Sequence, residues 1–170
     1  MQNYNLLVSY ELYEFKNAKE EIKALLSKLG DENAVVDKTI ANGIAAVKTS
    51  LDAREVVKKI RELYQSGKIM LFYAIKFVPV DEWCASELEE MKKVVDKLKE
   101  KILPDEKWAM EVEKRRWTKM HRIDVIRELA KDIKQKVDLE NPDKILRIDI
   151  IGKHAAISLI KPDEIFSTRK

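Results

Sequence analysis

Apolar and polar positions follow two periods along this chain, and the places where one period gives way to the other mark its elements. Tyr4 to Tyr10 is a short, mostly apolar run that predicts a strand. Asn17 with Glu20 forms a capping pair for a helix that buries Ala18, Ile22, Leu25, Leu26 and Leu29, and Gly30 stops it. Ala34 to Ile40 reads as a strand, Asn42-Gly43 as a turn that accepts positive φ, and Ile44 to Lys48 as the return strand. Asp52 and Glu55 cap a second helix carrying Val56, Val57, Ile60, Leu63 and Tyr64, and Gly67 ends it. Ile69 to Val80, rich in β-branched and aromatic residues, predicts a fourth strand.

The order β-α-β-β-α-β over residues 1–80 is that of the ferredoxin-like split βαβ arrangement, an antiparallel sheet with two helices on one face. Pro79 and the acidic Asp81-Glu82 mark a seam. Ser86 and Glu89 form a capping box for a helix reaching about Ile102, with Leu88, Met91, Val95, Leu98 and Ile102 on one face and Pro104 beyond its end. Lys107 to Glu113 sets Trp108, Met110 and Val112 at alternate positions, which is strand spacing. Val125, Ile126, Leu129, Ala130, Ile133 and Val137 then recur at helical spacing. Asn141-Pro142-Asp143 makes a turn, and Ile145 to Ile151 and His154 to Ile160 are two strands joined through Gly152-Lys153. The expected class is α+β: a ferredoxin-like domain over 1–80 packed on a C-terminal α/β domain over 81–170 of order α-β-α-β-β.

Charge changes this picture by its placement. The chain has 33 Lys and Arg against 30 Asp and Glu, so the formal net charge is only +3. From Asp81 to Glu106 there are nine acids and five bases, and from Lys107 to Lys136 ten bases and five acids. The excess concentrates in Lys114-Arg115-Arg116-Trp117-Thr118-Lys119-Met120-His121-Arg122, which holds five full positive charges and no acid. This run lies where a strand leaves a sheet and a helix begins, and the N–H groups of a helix start favour anions. It reads as a phosphate-binding corner, with RNA the expected ligand. The plainer alternative is a solvated charged loop.

Individual residues carry two readings. Lys114, Lys119 and Arg122 would contact phosphates with an affinity that falls steeply with salt. Arg115 and Arg116 cannot both face one way if the strand runs through them, so one of them would be structural. Trp117 either stacks on an exposed base or belongs to the core beside the sheet. His121, near a helix N-terminus, is expected to be a neutral hydrogen-bonding group. Lys153 and His154 form either a second phosphate contact or an ordinary turn. Cys84, the only cysteine, excludes an intrachain disulfide and reads as a small buried hydrophobe. Two histidines are few for a zinc centre.

Enzyme signatures are missing from the sequence. It holds no glycine-rich phosphate loop, no Gly-x-Ser-x-Gly elbow and no His-Glu-x-x-His pair. The chain is expected not to be an enzyme, with no catalytic residue, cofactor or metal. Met1-Gln2-Asn3-Tyr4 lacks the layout of a signal peptide and no apolar run is long enough to span a bilayer, so a cytoplasmic protein is expected. Abundant Lys and Glu with a single Cys hints at a thermophilic source.

Lys107-Trp108-Ala109-Met110-Glu111-Val112, Lys114-Arg115-Arg116 and Val137-Asp138-Leu139-Glu140-Asn141-Pro142-Asp143, with the closing strands around Ile148-Asp149-Ile150 and Ala156-Ile157-Ser158-Leu159, resemble a THUMP domain, a module of tRNA-modifying enzymes. Ile75-Lys76-Phe77-Val78-Pro79-Val80-Asp81-Glu82-Trp83-Cys84 is similar to the stretch entering that domain in the archaeal-type tRNA-acetylation adaptors. The resemblance implies a protein that grips tRNA, without DNA or membrane contact, and presents it to a separate cytidine acetyltransferase. It adds Lys76 and Lys107 to the candidate RNA contacts, although related proteins commonly carry arginine where Lys76 stands, and lysine cannot reproduce a bidentate phosphate contact. Two other readings remain open. One is a regulatory or oligomerisation module binding a small molecule or protein; the other is an RNA-binding subunit of a thiolation or methylation enzyme.

Overall fold

The computed structural model describes Met1 and residues 3–169; Gln2 and Lys170 lie outside the described residues. The chain divides into two compact units, Asn3–Val80 together with the segment that begins at Asp163, and Asp81–Pro162. Among the described residues no helix is long and apolar enough to cross a membrane.

The first unit runs β1 (Leu6–Tyr10), α1 (Phe15–Lys28), β2 (Val35–Lys38), β3 (Ile44–Lys48), α2 (Ala53–Gln65) and β4 (Ala74–Pro79). Its core gathers Leu6, Val8, Val36, Ala45, Val47 and Phe77 from the sheet with Ile22, Leu26, Val57 and Ile60 from the helices. Asp52 caps α2 as its sequence predicts, Oδ1 accepting the N–H groups of Arg54 and Glu55 at 2.9 and 3.1 Å. The cap expected at Asn17 is corrected. The helix α1 begins earlier, with Glu14 at its N-cap, because Phe15 packs against the core and the Tyr10 ring and draws the first turn onto the sheet. Asn17 Nδ2 instead donates to Glu14 Oε2 at 2.6 Å.

The fourth strand is shorter than Ile69 to Val80. Its ladder partner β1 ends at Tyr10, opposite Ala74, and the Glu21 carboxylate accepts the N–H groups of Phe72, Tyr73 and Ala74. A glutamate on α1 thus takes the donors that a longer strand would have used.

The second unit is β5 (Glu82–Ala85), α3 (Leu88–Lys99), β6 (Trp108–Arg115), α4 (Arg122–Ala130), β7 (Lys144–Ile151) and β8 (His154–Ile160). Its sheet order is β5-β8-β7-β6, with β6 and β7 parallel and the other pairs antiparallel. The face toward the helices buries Trp108, Met110, Val112, Leu146, Ile148, Ile150 and Ile157 against Met91, Val95, Val125 and Leu129. Residues 82–85, just past the seam read at Pro79 and Asp81-Glu82, form a strand that the sequence reading did not predict, paired with β8. The expected capping box at Ser86 does not form. Glu87 is the N-cap, and Ser86 Oγ donates to the Gly152 carbonyl at 2.6 Å. Helix α4 stops at Ala130, well short of Val137. The start of β6 captures residues 135–138 instead: Trp108 N donates to Lys136 O at 3.0 Å, its indole N–H to Gln135 O at 2.9 Å, and Asp138 N to Trp108 O at 2.9 Å.

After a 3₁₀ turn at Pro162–Glu164 the chain forms β9 (Phe166–Ser167), which pairs with β4 and extends the first sheet to the order β2-β3-β1-β4-β9. The expectation that 81–170 is one domain is therefore corrected at its end. The Arg61 guanidinium donates to the carbonyls of Asp163 and Ile165 and lies over the Phe166 ring, and Tyr64 meets that ring edge-on at 5.5 Å. A buried aromatic with a cationic lid holds this short strand where length alone would not.

Candidate nucleic-acid interface

Because β6 and β7 are parallel, their last residues, Arg115 and Ile151, lie side by side. The chain turns back at Gly152 (φ 59°) and Lys153, and His154 pairs with both Ile151 and Ala85. Gly152 N donates to Arg115 O at 2.9 Å and Ser86 N to Lys153 O at 3.0 Å. The ends of all four strands are thereby tied together at one end of the sheet. Helices α3 and α4 both start there, and neither N-cap residue, Glu87 or His121, makes a side-chain cap hydrogen bond. Uncapped helix starts leave N–H groups that favour an anion.

The basic run occupies this end. Its strand stops at Arg115, and Arg116 leaves it with φ 58°, one of two non-glycine residues with positive φ among those described. Such a conformation costs about 1–3 kcal/mol. Arg116 is exposed, as are His121, Lys153 and His154, and none of these four side chains makes a hydrogen bond or ion pair among the described residues. Lys119 pairs with Glu87, and Arg122 reaches Glu113 only at 3.9 Å; all four of these side chains are substantially exposed. Exposed pairs of this kind contribute about 0–1 kcal/mol, so an anionic ligand can replace them.

Trp117 lies beneath the corner. It is 7% exposed, packs in the core and donates its indole N–H to Ser86 O at 2.9 Å. Base stacking by this ring is excluded by its burial, and its role is to peg the basic loop to the end of β5. Arg115 is the structural member of the arginine pair, as alternation required of one of them. Its Nη1 reaches Asp149 Oδ1 at 3.5 Å, on the sheet face away from the helices. Asp149 is buried and receives Arg147 in a two-pronged contact, Nε to Oδ2 and Nη2 to Oδ1, both 3.0 Å, while Arg147 Nη1 meets Glu111 Oε1 at 3.1 Å. Burial alone would lower the Arg147 pKa, but Asp149 and Glu111 outweigh it and hold the guanidinium above its ordinary value.

The remaining candidates are distributed elsewhere. Lys114 is half-buried near the end of β6, in register with Ile150. Lys107 precedes β6 at its opposite end, roughly 26 Å away by strand rise, and pairs with Asp138 at 3.5 Å. It does not join the corner. Lys76 lies on β4 of the first unit, opposite Ser9 and Ser167. Sequence reasoning missed the part played by Ser86, whose tie to Gly152 and Lys153 depends on a strand pairing that no local pattern announces.

Residues 85–160, which lie within the second unit, match the THUMP domain family. Mouse THUMP domain-containing protein 1 is 25% identical over 162 residues, covering 84% of this chain and 46% of the mouse protein. TrmN from Thermus thermophilus has a similar fold, with TM-score 0.59 and 16% identity over 93% of this chain and 46% of its own. A 4-thiouridine synthetase solved with RNA and ATP gives TM-score 0.55 and 16% identity over 96% of this chain and 42% of its own. The chain thus spans about half the length of the relatives it matches.

Proposed function

We propose that this protein binds tRNA through the basic end of its THUMP domain and serves tRNA modification. The observation that carries the reading is the gathering of Arg116, Lys119, His121, Arg122 and Lys153, from two separate segments, around two uncapped helix starts. Cations on a rigid sheet end would fix the RNA backbone while shape selects the tRNA. The RNA-bound thiouridine synthetase among the structures of similar fold supports the ligand class. In the finer form of the proposal the chain is not itself an enzyme but a cytoplasmic adaptor, and its partner is a cytidine acetyltransferase. The first unit, whose strand order β2-β3-β1-β4 supports a ferredoxin-like reading with β9 added, would help set the distance along the RNA. A second reading, an RNA-binding part of a thiolation or methylation enzyme, is favoured by the thiouridine synthetase likeness and by the half-length span of the matches. It keeps the RNA site and changes the partner.

The test is a titration of the protein with total tRNA at several salt concentrations, with Arg116→Ala/Lys153→Ala beside it. Binding that weakens with salt, and weakens further in the double variant, is the expected result. Absence of binding at low salt would remove the proposal that this chain grips RNA by itself. An acetyltransferase binding assay then separates the finer readings.

A further inference from the structure

The acids at the two helix starts beside the basic run are engaged differently. Asp124 pairs with Arg127 at 3.3 Å and Glu90 with Lys93 at 3.1 Å, each along its own helix. Glu87 instead crosses from the start of α3 to Lys119, 32 residues away in the chain, and its carboxylate accepts a hydrogen bond from the lysine ammonium. Glu113 on β6 faces Arg122 at 3.9 Å, beyond hydrogen-bonding distance.

The backbone beneath the first pair is what brings it together. Ser86 is held on three sides: its N–H donates to Lys153 O at 3.0 Å, its hydroxyl to Gly152 O at 2.6 Å, and its carbonyl accepts the Trp117 indole N–H at 2.9 Å. The last bond ties the residue before Glu87 to the residue two before Lys119. Both partners therefore leave anchored backbone, which lowers the ordering cost that makes most exposed ion pairs negligible. Glu87 stands at the N-cap of α3 yet makes no side-chain bond to the helix, so its carboxylate is turned to Lys119 alone.

A phosphate arriving at this corner meets cations of two kinds. The Arg116 and Lys153 side chains are exposed and make no ion pair among the described residues, whereas Lys119 already holds a carboxylate. Taking Lys119 means displacing Glu87, whose freed charge then repels the phosphate that replaced it. We propose that Glu87 is an internal competitor for the RNA phosphate at Lys119, holding the affinity of this corner below what its cations would give. The displaced carboxylate also recovers a salt cation, which offsets part of the counterion release that drives RNA binding. Glu113 acts in the same way on Arg122, with less effect because the pair is longer. The inference rests on the RNA reading above for the identity of the polyanion, and on the Glu87–Lys119 pair for the competition.

The experiment uses the full chain and four variants: Glu87→Gln, Lys119→Ala, the two combined, and Glu89→Gln. Glu89 is exposed in the same first turn and makes no ion pair among the described residues, so its change controls for net charge. Thermal melts check that all four fold. Affinity for total tRNA is measured at several salt concentrations, and retention on heparin, a polyanion without bases, in a parallel arm. Glu87→Gln should tighten tRNA binding about threefold at low salt, steepen its salt dependence and elute later from heparin. With Lys119→Ala already present the gain should shrink by about half or more, and Glu89→Gln should give a smaller gain than Glu87→Gln. A parent that binds tRNA and a Glu87→Gln variant that binds it no better overturn the competition and leave the RNA reading standing. An equal gain with and without Lys119, or an equal gain from Glu89→Gln, also overturns it, since the effect would then be the field of the added charge. Heparin retention raised by Glu87→Gln only when Lys119 is present, with no tRNA binding by any variant, removes the RNA reading and keeps the competition. Neither tRNA binding nor a heparin shift overturns both.

Discussion

Two corners of this molecule share one backbone device and differ in everything attached to it. In each, a strand ends, a non-glycine residue takes positive φ, and a helix begins: Tyr10, Tyr13 and α1 in the first unit, Arg115, Arg116 and α4 in the second. Each left-handed residue is exposed. Around Arg116 stand Lys119, His121, Arg122 and Lys153; around Tyr13 stand Leu12, Ile40 and Phe72. The geometry presents a side chain to solvent at the end of a rigid sheet. The chemistry differs: cations gather around one left-handed residue and exposed apolar side chains around the other.

The comparison can be broken most severely at what lies beneath each corner. Trp117 is buried and hydrogen-bonded, so Trp117→Ala should cost about 3–5 kcal/mol of stability. The same change at exposed Tyr13 should cost none, and chemical denaturation of both variants reads the difference. Next in size is the RNA effect. Arg116→Ala/Lys153→Ala should weaken tRNA binding about tenfold and lower the slope of log affinity against log salt by about two, whereas Tyr13→Ser/Phe72→Ser should leave both unchanged. Smaller still, Arg116→Gly and Tyr13→Gly should each stabilise the fold by up to about 1 kcal/mol, since glycine takes positive φ without strain. Only the first should weaken RNA binding. Equal stabilisation with unequal function would separate conformation from chemistry at the two sites.

The smallest effect is on pH dependence and is nil near neutrality. Asp31, just after α1, is held below the usual carboxylate range by the Thr49 hydroxyl and by the N–H groups of Ser50 and Asn33. A carboxylate with a depressed folded pKa contributes stability above its unfolded value of about 3.9, which is lost as pH falls through the folded value. Acid titration of the parent chain should show this loss, and Asp31→Asn should flatten that part of the curve.

The sequence was most legible where a signal is local. The β2–β3 turn at Asn42-Gly43, the Asp52 cap and the strand at Ile44–Lys48 stand where residue chemistry puts them. It misled where a distant partner competes for the same groups. Glu21 takes the donors of residues 72–74, the start of β6 captures 135–138, and Ser86 leaves its capping role for Gly152. The short strand β9 had no signal of its own, since Phe166 is held by Arg61 and Tyr64 from another element. At the site, the charge run was visible and its division was not. Which arginine faces Asp149, and that Trp117 is a peg, depend on the register of β6 against β7. The nearness of exposed Leu12, Tyr13, Ile40 and Phe72 was invisible because they come from separate connecting segments that only the first sheet brings to one end.

The most direct test of the account is the salt dependence of tRNA binding measured for the parent chain, Arg116→Ala and Tyr13→Ala. The account predicts that Arg116→Ala lowers affinity several-fold and the salt slope by about one, while Tyr13→Ala superimposes on the parent. Curves for Arg116→Ala that match the parent, or a loss confined to Tyr13→Ala, would contradict it.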